Sequence, residues 1–372
     1  MTKLYALPDH EVMERLLPGI GARTLPIAQA LERLRSRPGL TPIAIDPEGP
    51  GWVYFADIGD TPLLEWKHIY TIERLARENA IGEIFSTNLA ILEQPDLVSD
   101  GISPVGLIFH VSRCGSTLFT KALANSPANL VICQGGPLQE GFWAAITDHW
   151  QRPAAIDPRS IRMLRNLVLL MTRQRRPEYR RSFVKFISWN VIYLDLVHAA
   201  FPDAAILYLY RDPVEVIATV LQETTAVLRA KGGQRAQDLT GLPAAATEQM
   251  SDATYLAHCF DHYFATVLQL AEPCGVHMVN YQQLKDPAAF ASILQRGLNL
   301  QPDAAELQCM RQQYHYYSKD DSKSMLYQGE PDNLLDILSH SDRQTISGIC
   351  AANLARLNRA ARNIFPQQEN TP

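Results

Sequence analysis

The sequence lacks the features that mark membrane, secreted and zinc-binding proteins. No run approaches the roughly 18 apolar residues that a membrane-spanning helix needs, so we expect no membrane partner. The first ten residues contain no apolar signal core, which favours a cytoplasmic protein. None of the six cysteines forms a C-x-x-C pair, and we interpret them as reduced thiols rather than as a disulfide framework or a metal site.

The sequence also lacks an excess of basic residues. It has 34 Lys and Arg against 39 Asp and Glu, a formal net charge of −5. A nucleic-acid-binding surface needs clustered positive charge, so we expect no nucleic acid as a partner. With 47% apolar and 20% charged residues, the 372-residue chain is typical of a globular protein with a sizeable core. The sequence leaves a homodimer possible.

The most informative stretch is residues 106–118. It begins Gly-Leu-Ile-Phe-His-Val, which predicts a buried parallel strand, and residues 118–124 after it predict a helix. A strand, a tight loop and a helix in this order direct backbone N–H groups and a helix N-terminus at an anion. Arg113 adds a charge, and Ser116 and Thr117 add hydroxyl donors. The stretch therefore predicts a phosphate-binding loop.

This loop is not a Walker A motif. That motif requires a lysine directly after its second glycine, and here Ser116 follows Gly115. The difference favours a nucleotide that binds without a metal ion over a nucleoside triphosphate with Mg²⁺.

A second stretch, residues 207–219, predicts a strand, a turn at Asp-Pro and a helix. Pro213 suits the first helical turn. Arg211 ends the strand and can hold a phosphate through two N–H groups, and Thr219 lies eight positions later on the helix. This stretch predicts a second phosphate contact.

The two stretches together resemble the cofactor motifs of PAPS-dependent sulfotransferases. Residues 112–118, Ser-Arg-Cys-Gly-Ser-Thr-Leu, resemble the 5′-phosphosulfate loop of bacterial and tyrosylprotein-type enzymes, with Ser112 in place of Pro and Cys114 in place of Ser. Residues 207–219 resemble the 3′-phosphate motif. The resemblance covers residues 104–290, and implies PAPS as donor, PAP as product and a small-molecule hydroxyl or amine acceptor. It assigns cofactor contacts to Arg113, Cys114, Gly115, Ser116, Thr117, Leu118, Arg211 and Thr219.

The resemblance also implies catalytic roles. Arg113 matches the cation that contacts the leaving phosphate, and Lys185 resembles a lysine that stabilises the transition state. A strand-end lysine that reaches solvent is the alternative for Lys185. The general base of the family is missing, because Ile187 stands where cytosolic enzymes have His, and residues 134–136 stand where tyrosylprotein enzymes have Glu.

Three nearby residues are candidates to replace that base or to assist. Glu140 follows the Gly-Gly-Pro turn and is the first choice, against the alternative of an exposed first-turn glutamate. His110 lies on the strand before the loop, where a buried structural histidine is the alternative. Ser188 is suited only to orienting the acceptor. An amine acceptor would relax the need for a base.

Alternation of about five strands with helices predicts an α/β fold, a P-loop-like parallel sheet covered by helices on both faces. Residues 1–100 are predicted to form an N-terminal α/β cap of unknown role, which completes the core or, as the alternative, has a regulatory or substrate-facing role. Residues 104–365 are predicted to form the sulfotransferase-like domain, with a helical tail from residue 332. Residues 182–190 are predicted to form a strand, and residues 229–242 a mobile loop.

Two polar segments have alternative interpretations. Five arginines between positions 173 and 181 predict a solvated helix end, with an acidic-substrate site as the alternative. Residues 315–324 are either a plain surface loop or a loop that closes over the cofactor through Ser318, Lys319 and Lys323.

Two other functions remain open from the sequence. A P-loop kinase of a small metabolite would need Mg²⁺ and a lysine after Gly115, which is absent. A non-catalytic PAP- or nucleotide-binding protein would explain the missing base.

Overall fold

The structure is a computed structural model that describes residues 9–222, 226–327 and 333–367. Its N-terminal part contains a three-stranded antiparallel sheet in the order β1-β2-β3. The elements are α1 (Asp9–Leu16), α2 (Ile27–Ser36), β1 (Leu40–Asp46), β2 (Trp52–Asp57), α3 (His68–Arg77), β3 (Ile84–Asn88) and a 3-10 helix (Leu89–Glu93).

The sequence has helical spacing at residues 11–17, 26–35 and 72–76 and a strand pattern at residues 51–59, which correspond to α1, α2, α3 and β2. It contains no comparable signal for β1 or β3. β1 was not predicted because it contains Pro42, and a proline inside an apolar run argues against a strand. In the structure the pairing register shifts between Pro42 and Ala44, which accommodates the proline at an irregularity of the strand.

The centre of the protein is a five-stranded parallel sheet flanked by helices, as the sequence predicted. The first half comprises β4 (Pro104–His110), α4 (Ser116–Ala124), β5 (Asn129–Cys133), α5 (Gly141–Thr147), α6 (Pro158–Met171), β6 (Arg181–Lys185), α7 (Leu194–Ala200) and β7 (Ala205–Tyr210). The second half comprises α8 (Pro213–Leu221), α9 (Gln234–Thr240), α10 (Ala244–Glu248), α11 (Asp252–Leu270), β8 (Val276–Asn280), α12 (Tyr281–Leu284), α13 (Phe290–Leu298), α14 (Ala304–Arg311) and α15 (His340–Arg359). Short 3-10 helices occur at Gly136–Leu138, Ser188–Tyr193, Ala226–Ala230, Gln312–His315 and Leu334–Ile337.

The strand order places a crevice beside β4. The order is β5-β6-β4-β7-β8, so β6 lies on one side of β4 and β7 on the other. In open α/β sheets the connections leave a crevice at the carboxyl ends of strands where the order reverses. Both predicted phosphate contacts follow strands that end at this crevice.

Two predicted segments are wrong. The strand expected over residues 182–190 ends at Lys185, because the backbone then turns into the 3-10 helix Ser188–Tyr193. The mobile loop expected over residues 229–242 contains α9, which buries Ala236, Leu239 and Thr240 at helical spacing inside a mostly polar sequence.

The arginine cluster is also not simply a solvated helix end. Arg173 and Arg175 are only 4% and 8% exposed. Arg173 pairs with Asp100 at 2.7 Å, and burial lowers the pKa of Arg175 to about 10. Arg173 also donates to the Arg37 carbonyl at 2.8 Å, which offsets its burial at the contact between the N-terminal part and the central part. Arg175 donates to the Met171 carbonyl at 3.1 Å, while its Nε and Nη2 have no hydrogen-bond partner among the described residues.

Two glycines allow β1 to lie directly against the segment after β5. A methyl group at Gly136 would overlap the carbonyl oxygen of Ile43, and one at Gly141 would overlap that of Ile45. The N-terminal sheet is therefore packed backbone to backbone on the central part.

In the described parts of the chain no helix has both the length and the apolar character needed to cross a membrane. The helical tail is present as α15, whereas its predicted start at residue 332 lies outside the described residues, as do residues 1–8.

His68 is expected to make stability depend on pH. It is buried and its Nδ1 accepts a hydrogen bond from the Gly136 N–H at 3.4 Å. Burial, and then the charge of Arg175, lower the pKa of His68 to about 4 from an ordinary 6.5. The unfolded chain therefore binds more protons between these values, so stability is full above pH 6.5 and falls by roughly 2–3 kcal/mol towards pH 4.

A His68→Asn variant tests this expectation, because its amide oxygen can still accept from Gly136 but does not titrate. Urea unfolding midpoints between pH 7 and pH 4 should fall less steeply in the variant than in the wild type. Identical slopes would contradict the assignment.

Candidate functional site

The loop between β4 and α4 has an unusual backbone. Ser112, Arg113 and Gly115 have φ values of +86°, +47° and +77°, in the left-handed region. The His110 Nδ1 accepts a hydrogen bond from the Ser112 N–H at 3.0 Å, which holds the turn. Successive left-handed and right-handed residues form concave backbone sites for anions, and non-glycine residues in this region are strained. The predicted phosphate loop therefore contains left-handed residues of the kind found in such sites, and its binding of an anion stays a prediction.

Cys114 points away from this concave surface. Its Sγ donates to the Leu209 carbonyl at 3.2 Å, and the side chain is fully buried. Burial raises the pKa of the Cys114 thiol to about 11, so it stays protonated. Cys114 can serve a ligand only through its backbone, since its thiol fastens the loop to β7.

The predicted cofactor residues lie on one cleft of about 720 Å³ at the carboxyl ends of the strands. The structure brings together two stretches that are far apart in sequence. The lining includes Arg113, Cys114, Gly115, Ser116, Thr117, Leu118, Arg211 and Thr219. Their role in binding a cofactor stays a prediction.

Arg211 is held rigidly at the edge of the phosphate loop. It is 4% exposed, its Nε donates to Glu215 at 2.6 Å, and its Nη1 donates to the Arg113 carbonyl at 3.2 Å. The guanidinium also lies 4.5 Å from the centre of the Tyr281 ring. Thr219 Oγ1 donates to the Glu215 carbonyl at 2.9 Å, one turn away. Glu215 was not among the predicted site residues, although its i,i+4 spacing from Arg211 is a usable signal.

The alternative interpretation of Lys185, a strand-end lysine that reaches solvent, is wrong. Its side chain is completely buried, and its Nζ donates to Thr117 Oγ1 at 3.3 Å. Burial lowers its pKa. Lys185 thus brings a poorly solvated ammonium group directly beneath the loop.

His110 lies on the cleft as a neutral ring. Burial, and then Lys185, lower its pKa to about 3. Since Nδ1 accepts from Ser112, the neutral ring carries its proton on Nε2, which has no hydrogen-bond partner among the described residues. This tautomer makes His110 a hydrogen-bond donor rather than a proton acceptor, with its buried Nε2 beside the Phe186 backbone.

Glu140 is not the exposed first-turn glutamate of the alternative interpretation. Its side chain lines the cleft and is 13% exposed. Its Oε1 accepts from Arg229 Nη2 at 2.9 Å and from Arg235 Nη1 at 2.8 Å. Neither partner was predicted, because both arginines lie in the segment 229–242 that was expected to be a mobile loop.

Residues from outside the predicted motifs also line the cleft. Trp66, Lys67 and Ile69 come from the N-terminal part, in which no sequence motif singled out these residues. Residues 316–319 belong to the polar segment whose interpretation was open. Lys319 Nζ lies 5.3 Å from the Trp66 ring centre, so the two walls touch. Closure of this segment over a cofactor stays a prediction.

The central part of the sequence matches a known protein family. The profile described as the sulfotransferase family matches residues 107–303, more than half of the chain. This chain belongs to the sulfotransferase family. The family resemblance predicted from the two motifs is confirmed.

Several solved sulfotransferase structures are similar to this chain at low sequence identity. A Mycobacterium tuberculosis sulfotransferase is 12% identical, with 67% of this chain and 78% of that chain covered and a TM-score of 0.39. A sulfotransferase from Alicyclobacillus acidocaldarius is 14% identical, with 68% and 94% covered and a TM-score of 0.40. The sulfotransferase domain from the curacin biosynthetic pathway is 16% identical, with 67% and 97% covered and a TM-score of 0.36. A search of curated protein sequences gives no match.

Gly115 is expected to be essential to the shape of the site. Besides its left-handed φ, a Cβ there would lie 2.9 Å from Leu284 and 3.0 Å from Tyr281, the ring that supports Arg211. Gly115→Ala should therefore weaken PAP binding about tenfold or more, measured by isothermal titration. Gly49→Ala is the matched control, because Gly49 also has a left-handed φ but no neighbour within 4 Å. Equal PAP affinity in the two variants would contradict the proposed steric effect.

Proposed function

We propose that this sulfotransferase transfers the sulfuryl group of PAPS to a hydroxyl or amine of a small-molecule acceptor, with PAP as product. One observation carries the proposal. The loop around Arg113 and the guanidinium of Arg211, the two groups expected to bind anions, share one cleft and are joined by a hydrogen bond of 3.2 Å. PAPS has anionic groups at its 5′ and 3′ ends and needs two such contacts.

The reaction is an in-line displacement at sulfur. The acceptor O–H or N–H gives its proton to Glu140, and its oxygen or nitrogen forms a bond to sulfur. The bond between sulfur and the bridging phosphate oxygen breaks, and its electron pair stays on PAP. Glu140 lies on the cleft with the phosphate loop, so that positioning and proton transfer can act on the same bound acceptor.

Three other residues support this chemistry. We propose that Arg113 neutralises the leaving phosphate, which gains negative charge as the bond breaks. Lys185 lies below Thr117 and offsets charge on the transferred group. His110 acts as a hydrogen-bond donor through Nε2, because its lowered pKa makes it a weak base.

No metal ion is part of the proposal. The cytoplasmic location, the homodimer and the division at residue 100 stay predictions.

Titration of the purified protein with PAP, with ATP plus Mg²⁺ and with ADP tests the donor. We expect PAP to bind most tightly. Transfer of label from ³⁵S-PAPS to a panel of alcohols, phenols and amines then tests catalysis. A preference for ATP with Mg²⁺ would replace the proposal with a kinase. Tight PAP binding without any transfer would indicate a non-catalytic PAP-binding protein.

Arg211→Ala is expected to weaken PAP binding by about 10- to 150-fold. A charge-assisted hydrogen bond contributes roughly 1.5–3 kcal/mol, and 1.4 kcal/mol corresponds to a tenfold change in affinity. The variant also leaves Glu215 without its arginine partner beside the proposed phosphate site, which adds repulsion. Isothermal titration with PAP measures the effect.

The matched control is Arg296→Ala, which removes a guanidinium that lies 6.0 Å from the Phe365 ring. It should bind PAP like the wild type. Wild-type affinity in Arg211→Ala would make the 3′-phosphate assignment wrong.

A further inference from the structure

Three consecutive residues after α5 have an unfavourable backbone. Asp148, His149 and Trp150 have φ values of +51°, +55° and +63°, although none is glycine. Such strain persists only where the surroundings hold it, and it concentrates at functional sites. Here two hydrogen bonds fix the segment. The Trp150 N–H donates to Thr147 Oγ1 at 3.0 Å, and the indole Nε1 donates to the Tyr193 hydroxyl at 3.0 Å.

The strained segment presents its indole to a single arginine. The guanidinium of Arg235 lies 4.5 Å from the Trp150 ring centre and 4.8 Å from that of Trp189. Trp189 is itself fixed, because its Nε1 donates to the Gln139 carbonyl at 3.0 Å. The indole pair, Trp150 and Trp189, thus holds Arg235 from two separate elements.

Arg235, held in place by the two indoles, in turn restrains Glu140 through a hydrogen bond. Its side chain is 11% exposed and its Nη1 donates to Glu140 Oε1 at 2.8 Å. Arg229 bonds the same oxygen but is 31% exposed, so it is the less constrained of the two. Among the residues that the structure describes, none donates to Glu140 Oε2. The carboxylate is therefore fastened by one oxygen, and the other oxygen is left for the cleft.

We propose that Arg235, held by the indole pair, is the positioning residue that fixes Glu140 through Oε1 and leaves Oε2 to accept the proton of the acceptor. The inference rests on the proposed function, in which Glu140 is the general base. A planar guanidinium is required, because it contacts indole rings with its face while its edge donates in a fixed direction. A lysine ammonium has no such plane and leaves Glu140 free to rotate.

Arg235→Lys tests the proposal, because it keeps the charge and removes the planar group. The readout is release of ³⁵S-sulfate from ³⁵S-PAPS with water as acceptor, together with the best acceptor from the panel. We expect kcat to fall about 10- to 100-fold, the scale of a misplaced catalytic group, with PAP affinity within twofold of wild type. Trp150→Phe keeps a ring but loses the bond to Tyr193, and should lower kcat less.

The decisive comparison is a double variant. In the Glu140→Gln background, Arg235→Lys should cause no further loss, since its effect runs through Glu140. Arg165→Lys is the matched control: its guanidinium lies 5.6 Å from the Phe201 ring centre and donates to the Ala200 carbonyl. It should leave kcat unchanged.

The outcomes separate this inference from the proposed function. Arg235 would be merely structural in either of two cases. The first is that the losses of kcat from the two substitutions add in the double variant. The second is that Arg235→Lys lowers PAP affinity as much as it lowers kcat. A Glu140→Gln variant that is impaired while Arg235→Lys equals the wild type would overturn the positioning role alone. Full turnover in Glu140→Gln, or no turnover in the wild type, would overturn both.

Discussion

Replacing Glu140 with glutamine is expected to lower turnover by about 10²- to 10⁴-fold, the contribution of a general base. Glutamine has the same size, and its amide oxygen can still accept from Arg229 and Arg235. Its NH₂ group cannot take a proton from the acceptor. The partners of Glu140 are two arginines rather than the phosphate loop, so PAP affinity should stay at the wild-type value.

The measurement is kcat for sulfuryl transfer, with PAP affinity from titration in parallel. Glu272→Gln is a suitable control, because Glu272 also pairs with an arginine, Arg362, but its side chain is 71% exposed. The control should behave like the wild type. Turnover within twofold of wild type in Glu140→Gln would assign the base to another residue.

Replacing Lys185 with methionine is expected to lower activity without lowering stability. Turnover should fall by about 10²- to 10³-fold, because a charge beneath the transferred group is lost. Stability should be unchanged or higher, since the ammonium is completely buried and burial lowers its pKa. Methionine fills the same space without the cost of desolvating a charge.

Lys121→Met provides the contrast. Lys121 is also buried, at 4% exposure, but its Nζ pairs with Asp321 at 2.6 Å. Removing it breaks an ion pair, so this variant should lose stability. Urea unfolding and kcat, measured on both variants, check the prediction. A Lys185→Met variant that is less stable, or that retains kcat, would show that Lys185 is structural.

The sequence was most informative where function depends on short-range geometry. A strand, a loop with one arginine and a helix specify where backbone N–H groups point, and both phosphate motifs contain that information within about 13 residues. The loop after β4 and Arg211 after β7 therefore meet in the cleft as the two motifs implied. The parallel order of the strands follows from the same alternation.

The sequence was least informative where packing between distant segments determines which residues reach the cleft or become buried. Trp66 and Lys67 reach the cleft only because the N-terminal sheet packs on the central sheet, and no local pattern records that contact. Arg235 was assigned to a loop because polar residues hide the spacing of Ala236 and Leu239. The burial of Arg173 depends on Asp100, which no spacing rule connects with it.

The close contact of β1 with Gly136 and Gly141 has a consequence for how the chain can be divided. A chain that begins at residue 104 would expose a groove shaped for the backbone of another segment, with its two glycines facing water. Such a fragment would lose the surface that packs against Gly136 and against Gly141, the residue next to Glu140. The boundary near residue 100 separates two sheets by topology, but because of this contact we expect both sheets to unfold as one cooperative unit.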